Sequence, residues 1–230
     1  MSRSRGLFVV GTDTDVGKTA VAVALISSLR AGGVRVGAYK PVASGVAGAG
    51  GDADRLWEAA GRPLSLDSVC PQSFAAAIAP ADAARAAGRE VDEELLRRGI
   101  EPWRAACDCV VVEGAGGLFS PLAPGTLVAD LAREFALPLV IVDAARLGLV
   151  GRTLMAVRAA RAEGLRVAAV VVSQTLPPRG HAASPEGDAA ILGSGLATLR
   201  GRLPELPIGT LAHGSPRIEP AIDWAALAGG

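Results

Sequence analysis

"VVGTDTDVGKTAVAVAL", residues 9–25, decides the fold. An apolar run ends in Gly11, a short polar stretch leads to Gly17-Lys18-Thr19, and a segment rich in alanine and valine follows. This is the order strand, loop, helix, in which backbone N–H groups at the helix start, reinforced by the helix dipole, receive an anion. The generic phosphate loop G-x-x-x-x-G-K-[ST] would place its first glycine at Thr12. Here glycine comes one place early, at Gly11, and Asp13 and Asp15 stand where phosphates approach. A carboxylate facing phosphate is repelled, so both are expected to turn away, toward an amine-bearing substrate or into the loop's own N–H groups. Lys18 would reach the β- and γ-phosphates, and Thr19 would set its hydroxyl on Mg²⁺.

Outward from this loop, short continuous runs of Val, Ile and Leu recur at residues 7–10, 34–39, 109–113, 137–143 and 166–173. Runs that do not alternate read as strands covered on both faces. Helical spacing lies between them, at Thr19–Arg30 before Gly32 and Gly33, at Thr126–Phe135 before Pro138, and at Leu149–Glu163 before Gly164. Strands alternating with helices imply parallel pairing through crossovers, hence an α/β three-layer sandwich with a mostly parallel sheet, similar to P-loop NTPases, in one domain over residues 1–230. Two stretches rich in Gly, Pro, Ala and Asp, 44–54 and 177–188, read as surface loops near the ligand side.

In an open parallel sheet ligands sit beyond the carboxyl ends of the strands, which selects the residues to inspect. Lys40 follows a strand and precedes Pro41, which keeps it extended and aimed at the same cleft as Lys18. A solvated strand-end lysine is the bland alternative. Lys18 and Lys40 are the only lysines, every other base being Arg, so a compact ammonium is required at both places. Glu113 ends an apolar run before Gly114-Ala115-Gly116-Gly117; it can hold Mg²⁺ directly or through water, or cap the next segment. Asp52 is a second metal candidate or the N-cap of a helix, and Asp54 competes with it. His181 and His213 stand isolated and read as surface residues.

With 23 basic and 23 acidic residues the formal charge is zero, so no field draws the chain to nucleic acid or anionic lipid. Cys70, Cys107 and Cys109 have no metal-ligand spacing and read as small buried thiols of a reducing compartment. Only four apolar residues separate Gly6 from Gly11, too few for a signal peptide or a membrane span. A cytoplasmic protein is expected.

The stretches "GTDTDVGKT" (11–19), "GAYKPVASG" (37–45), "VVVEGAGGLFSPL" (110–122) and "ADLAREFALPLVIVDAARLG" (129–148) together resemble the dethiobiotin synthetases, whose version of the loop carries the displaced glycine and the extra acids. The resemblance covers most of the chain. It implies ATP- and Mg²⁺-dependent ring closure of 7,8-diaminopelargonic acid with CO₂, through a carbamate and a carbamic-phosphoric anhydride, by a homodimer. It assigns Lys18 and Lys40 to the carbamate and phosphoryl charge, Thr19, Asp52 and Glu113 to Mg²⁺, and Thr14 and Ser44 to substrate. The nucleotide would lie along Asp15, Val16, Gly17, Lys18, Thr19 and Ala20, and along Glu113, Gly114, Ala115 and Gly116. The substrate carboxylate would sit across the dimer interface on the backbone of Gly148, Leu149, Val150 and Gly151.

The chain departs from the pattern at several places. Ser173-Gln174 stands where many relatives carry Asn-Asp to read adenine, leaving that reading to Gln174 or to backbone near Leu211, Ala212 and His213. Val150-Gly151-Arg152 replaces Ile-Asn-His, and a tyrosine gives way near Ser184. Related cobyrinate-type amidotransferase synthetases need a glutaminase domain, for which this chain has no room. A partition-type ATPase would carry a lysine where Asp13 stands, and a GTPase switch would carry N-K-x-D; this chain has neither.

Overall fold

The computed structural model describes residues 5–46, 50–175 and 185–229. His181, Ser184 and parts of the two Gly/Pro-rich stretches lie outside the described residues. In chain order the strands are β1 (Gly6–Gly11), β2 (Val36–Tyr39), β3 (Ala43–Ser44), β4 (Ser73–Phe74), β5 (Cys109–Gly117), β6 (Pro121–Ala123), β7 (Thr126–Leu127), β8 (Leu139–Ala144), β9 (Val167–Ser173), β10 (Ile208–Leu211) and β11 (Ile218–Glu219). The helices are α1 (Lys18–Ala31), α2 (Asp52–Ala60), α3 (Leu66–Val69), α4 (Pro80–Ala86), α5 (Glu93–Arg98), α6 (Glu101–Ala106), α7 (Val128–Phe135), α8 (Leu149–Ala162), α9 (Pro185–Arg202) and α10 (Trp224–Gly229).

The central sheet has the order β11-β10-β9-β8-β1-β5-β2 and is parallel except for the edge pair β10–β11. Leu7, Phe8, Val9 and Val10 are at most 1% exposed, which explains why β1 shows no polar alternation: helices cover both faces. The chain leaves β1 for β5 and β2 on one side and β8 to β10 on the other, so the phosphate loop emerges at the point where the strand order reverses.

Register then sets neighbours at the carboxyl edge. Tyr39 pairs with Val112, which brings the next residues, Lys40 and Glu113, side by side. Gly11 pairs with Val142, which brings Thr12 beside Asp143. Ala144 pairs with Ser173, which carries the end of β9 to the same edge.

The five expected strands and three expected helices form, with the start of one helix shifted. The helix expected from Thr126 begins at Val128, because Thr126–Leu127 pairs with β6 and the Asp130 carboxylate accepts the Leu127 N–H at 2.8 Å. It ends at Phe135 as expected, with Ala136 in the left-handed conformation, φ 54°, two residues before Pro138. Cys109 is the buried thiol expected, pushed up to about 12 by burial, whereas Cys70 and Cys107 are half-buried. None of the described helices is long and apolar enough to cross a membrane.

Phe8 is wholly buried in β1 and packs against Phe135 of α7 with ring centroids 6.3 Å apart. Phe8→Ala is therefore expected to lower unfolding stability by about 3–5 kcal/mol. Urea titration should show a lower midpoint with an unchanged slope.

Candidate functional site

Gly17 precedes α1 with φ 89°, a left-handed conformation that costs glycine nothing, and a Cβ there would run into the Ser173 hydroxyl. The loop therefore rests on the end of β9. Ser173 is 2% exposed and serves as this support, while Gln174 faces the cavity with its own N–H donated to the Leu211 carbonyl at 2.9 Å. Of the two loop acids, Asp13 is engaged away from the helix start, while Asp15 lines the cavity beside Lys18. Asp13 Oδ1 accepts the Thr14 N–H at 2.7 Å, and its Oδ2 lies 3.6 Å from Arg146 Nη2. Asp15 is exposed with φ 53°. Lys18 Nζ donates to the Asp13 carbonyl at 3.1 Å. Burial, opposed by Glu113 and aided by Lys40, holds the Lys18 ammonium below its ordinary pKa.

Lys40 is the centre of the site. Only 5% exposed, it donates to Glu113 Oε1 at 2.7 Å and to Asp52 Oδ2 at 2.5 Å, so the solvated-lysine reading is wrong. Burial alone would depress its pKa, but Glu113 and then Asp52 outweigh it and raise the ammonium above its ordinary value. Asp52 is half-exposed; burial raises its carboxyl, and Lys40 more than reverses this, leaving it below the ordinary range. Thr19 Oγ1 donates to Glu113 Oε1 at 2.8 Å, which joins the start of α1 to the end of β2 through one carboxylate. Glu113 does not cap a following helix, since β5 runs on to Gly117.

The choice between Asp52 and Asp54 is a matter of helix geometry. Gly51, not Asp52, is the N-cap of α2. Asp54 Oδ2 accepts the Gly51 N–H at 3.1 Å and is occupied by the helix, whereas Asp52 in the first turn reaches Lys40.

Glu113 Oε2 is buried without a hydrogen-bond partner. Two carboxylates, Glu113 and Asp52, flank the Lys40 ammonium, and Glu113 also accepts the Thr19 hydroxyl. Hard oxygen donors with an unpaired oxygen among them suit Mg²⁺, which takes one or two carboxylates and fills its octahedron with water and phosphate oxygens. Among the described residues no group of three or more His, Cys, Asp or Glu is placed to hold a metal ion.

A cavity of about 740 Å³ joins these groups. Of the anticipated residues, Thr14, Asp15, Gly17, Lys18, Thr19, Ala20, Lys40, Ser44, Asp52, Glu113, Ala115, Gly116, Ser173, Gln174, Leu211, Ala212 and His213 line it. Val16 and Gly114 do not: Val16 is core, and Gly114 is buried where a Cβ would press on Phe8 and Val128. Gly148, Leu149, Val150 and Gly151 also lie outside the cavity, at the first turn of α8, where Leu149 is 2% exposed and packs against Gly195. Arg55, Val23, Thr175 and Gly214 to Pro216 line the cavity unanticipated. Arg55 had a signal in the sequence, since three positions beyond Asp52 on a helix is the same face.

The division of labour between the two acids of α2 is measurable. Asp54→Ala removes the acceptor for the Gly51 N–H and should lower stability by about 1 kcal/mol with turnover retained. Asp52→Asn should instead cut turnover by roughly 10–100-fold, the usual range for a residue supporting a metal site. Because the folded pKa of Asp52 lies below its ordinary value, its stabilising share is present above the unfolded carboxylate value, near pH 4, and is lost as pH falls through the folded value. Urea titrations below about pH 4 should accordingly show Asp52→Asn less acid-sensitive than the parent.

A family model described as an AAA domain matches residues 5–210. Among solved structures, the cell division protein FtsY of Thermotoga maritima aligns with TM-score 0.53 at 16% identity, over 98% of this chain and 68% of that one. Chloroplast FtsY of Physcomitrella patens aligns with TM-score 0.50 at 17% identity over 99% of this chain, which spans 65% of that protein's length. These likenesses speak to the fold alone. The ATP-dependent dethiobiotin synthetase BioD of Anaeromyxobacter dehalogenans is 49% identical over 177 residues, covering 75% of this chain and 78% of that protein. Proteins of the same name from Rhodopirellula baltica, at 42% over 73% of this chain and 72% of theirs, and from Caulobacter vibrioides, at 40% over 75% and 81%, are similar to it as well. Identity at that level over about three-quarters of both chains reflects common descent rather than shared architecture alone, and the chain belongs to the dethiobiotin synthetase family.

Proposed function

We propose that the protein closes the ureido ring of dethiobiotin in biotin biosynthesis, joining 7,8-diaminopelargonic acid and CO₂ at the expense of ATP, as a single-domain enzyme. The observation that carries this reading is Lys40, buried and held between Glu113 and Asp52 beside the phosphate loop. Its charge is fixed by its neighbours, so it acts as a permanent cation. In the first step one amine of the diamine adds to CO₂ and loses a proton, giving a carbamate. A carbamate oxygen then attacks the γ-phosphorus, ADP departs, and a carbamic-phosphoric anhydride remains. The second amine attacks the carbonyl carbon, phosphate leaves with the C–O bond's electrons, the amine gives up a proton, and the ring closes.

Every intermediate in this sequence is anionic, and little covalent work falls to the protein; positioning and charge do the rest. Lys18 and Lys40 stabilise the carbamate and the transferring phosphoryl oxygens. Phosphate oxygens arriving beside Lys18 oppose the lowering that burial imposes on its ammonium. Thr14 and Ser44 contact the diamine end. Thr19, Asp52 and Glu113 would hold Mg²⁺, which neutralises phosphate charge when bound. The backbone of Gly148 to Gly151 receives the substrate carboxylate from a second copy, making the working unit a cytoplasmic homodimer.

Phosphate release should require diamine and bicarbonate together; equal release with nucleotide alone would place the protein among switch ATPases. Lys40→Arg should lose about 10²–10³ in rate, the value of one oxyanion-type contact, because a planar guanidinium cannot occupy the slot between two carboxylates.

Base reading generates a separate expectation. Ser173 supports the loop and carries no amide to span two groups of adenine, so about 1–3 kcal/mol of discrimination is forfeited, by analogy with bidentate base contacts. ATP preference over CTP, GTP and UTP should accordingly fall by roughly one to two orders of magnitude relative to a reader with Asn. Values of kcat/KM for the four triphosphates decide this: a thousandfold preference for ATP would assign adenine reading to Gln174 or the Leu211–His213 backbone.

A further inference from the structure

Asp143 is a carboxylate with no exposure, and it does not line the nucleotide cavity. Four donors converge on it. Its Oδ1 accepts from the Thr12 hydroxyl at 2.7 Å, the Ala144 N–H at 2.8 Å and Arg152 Nε at 3.0 Å, and its Oδ2 accepts from the Thr153 hydroxyl at 3.0 Å. Thr12 opens the phosphate loop, whereas Arg152 and Thr153 lie in the first turns of α8. Arg152 is itself braced, donating to the Leu147 carbonyl at 3.0 Å and the Ala144 carbonyl at 3.3 Å. The loop and the helix thus share one buried anion.

We propose that Asp143 is a positioning residue that fixes the phosphate loop through Thr12, with Arg152 of α8 supplying the charge that keeps the anion in place. The tie passes along the loop, starting from Thr12. Its N–H donates to the Val142 carbonyl at 2.9 Å and its hydroxyl to Asp143, so both ends of the residue are tied to β8. The next residue, Asp13, presents the carbonyl that receives Lys18 Nζ and the carboxylate that receives the Thr14 N–H. A turn at Thr12 therefore carries the resting place of Lys18 and the position of Thr14 with it. The parallel contact between Arg146 and Asp13, 3.6 Å and about half-exposed on both sides, is screened by water and cannot replace the buried tie.

A buried carboxylate needs a counter-charge or it will draw water or a proton. Among the described residues Arg152 is the cation bonded to Asp143. Its removal should disturb the loop even though Arg152 does not line the cavity.

The proposal rests on the loop binding nucleotide, and the test separates the two ideas. ADP affinity is measured by calorimetric titration for the parent, Thr12→Val, Arg152→Met, their double variant, and the Asp143→Asn/Arg152→Met pair; urea midpoints verify folding. Each single variant should bind ADP roughly five- to thirtyfold more weakly, within the usual range for coupled sites. The Thr12/Arg152 double variant should bind no more weakly than the worse single, because both act through one anion. Asp143→Asn/Arg152→Met has no buried charge to neutralise and keeps an acceptor for Thr12, so it should bind ADP nearly as the parent does; this also covers the case in which Arg152→Met alone does not fold. Folded single variants with parent-like ADP affinity, strictly additive losses, or failure of the Asn/Met pair to recover binding would each overturn the role of Asp143. A parent chain that does not bind ADP would overturn the nucleotide reading as well.

Discussion

The buried contact of Lys40 with Glu113 is the constraint on which the rest of the site depends. It joins two parallel strands whose register already brings the two residues side by side, and it adds α1 through Thr19 and α2 through Asp52. Burying an ammonium and a carboxylate is costly, and such a pair often contributes little net stability compared with an apolar substitute. Its retention at the carboxyl edge of the sheet therefore speaks of chemistry more than of stability. The unpartnered Glu113 Oε2 points the same way, since a buried oxygen left without a donor is tolerated where a ligand supplies one.

The phosphate loop is the second element, and its support comes from outside the motif. Ser173 lies beneath Gly17, and the Val142 carbonyl and Asp143 hold Thr12. The early glycine acquires a reason in this setting. Gly11 is still within β1, paired with Val142, and a Cβ there would press on the Asp13 carbonyl and on Val16. The turn into the loop is tight because the loop starts while the strand is still paired. Asp13 is then free to accept the Thr14 N–H, while Asp15 stays exposed at the cavity's edge.

The two sides of the sheet contribute differently. On the β5 and β2 side, Lys40, Asp52 and Glu113 supply fixed charge close to the loop. On the β8 to β10 side, Ser173, Gln174 and the stretch from Leu211 to Pro216 supply a mostly uncharged wall. A nucleotide lying across the reversal of strand order would meet charge at its phosphates and neutral groups at its base, the arrangement that electrostatics favours. The dethiobiotin synthetase family uses this fold with its own set of side chains, which is why FtsY can share the architecture at 16% identity and say nothing of the reaction.

Much of this was legible in the residues themselves. Apolar runs gave the five parallel strands reached from sequence, the Gly-Lys-Thr order gave the loop, and the solitary Lys40 before Pro41 pointed at the cleft. The start of α7 and the role of Ser173 were not legible, because each depends on a distant partner: β6 for Thr126, and Gly17 for Ser173. Arg55 could have been found by helical spacing from Asp52, but Gly214 to Pro216 belong to the cavity only because the sheet places the β10–β11 connection beside it. The sequence by itself determined which chemical groups are present and the strand ends on which they stand, since periodicity and local turn chemistry act over a few residues. Tertiary structure alone decided which of them meet, that Asp52 and not Asp54 reaches Lys40, that Val16 and Gly114 are core, and that Asp143 is shared by loop and helix. The physical reason is that strand register and helix phase convert separations of up to 131 residues into hydrogen-bond distances, and neither is written in any single segment.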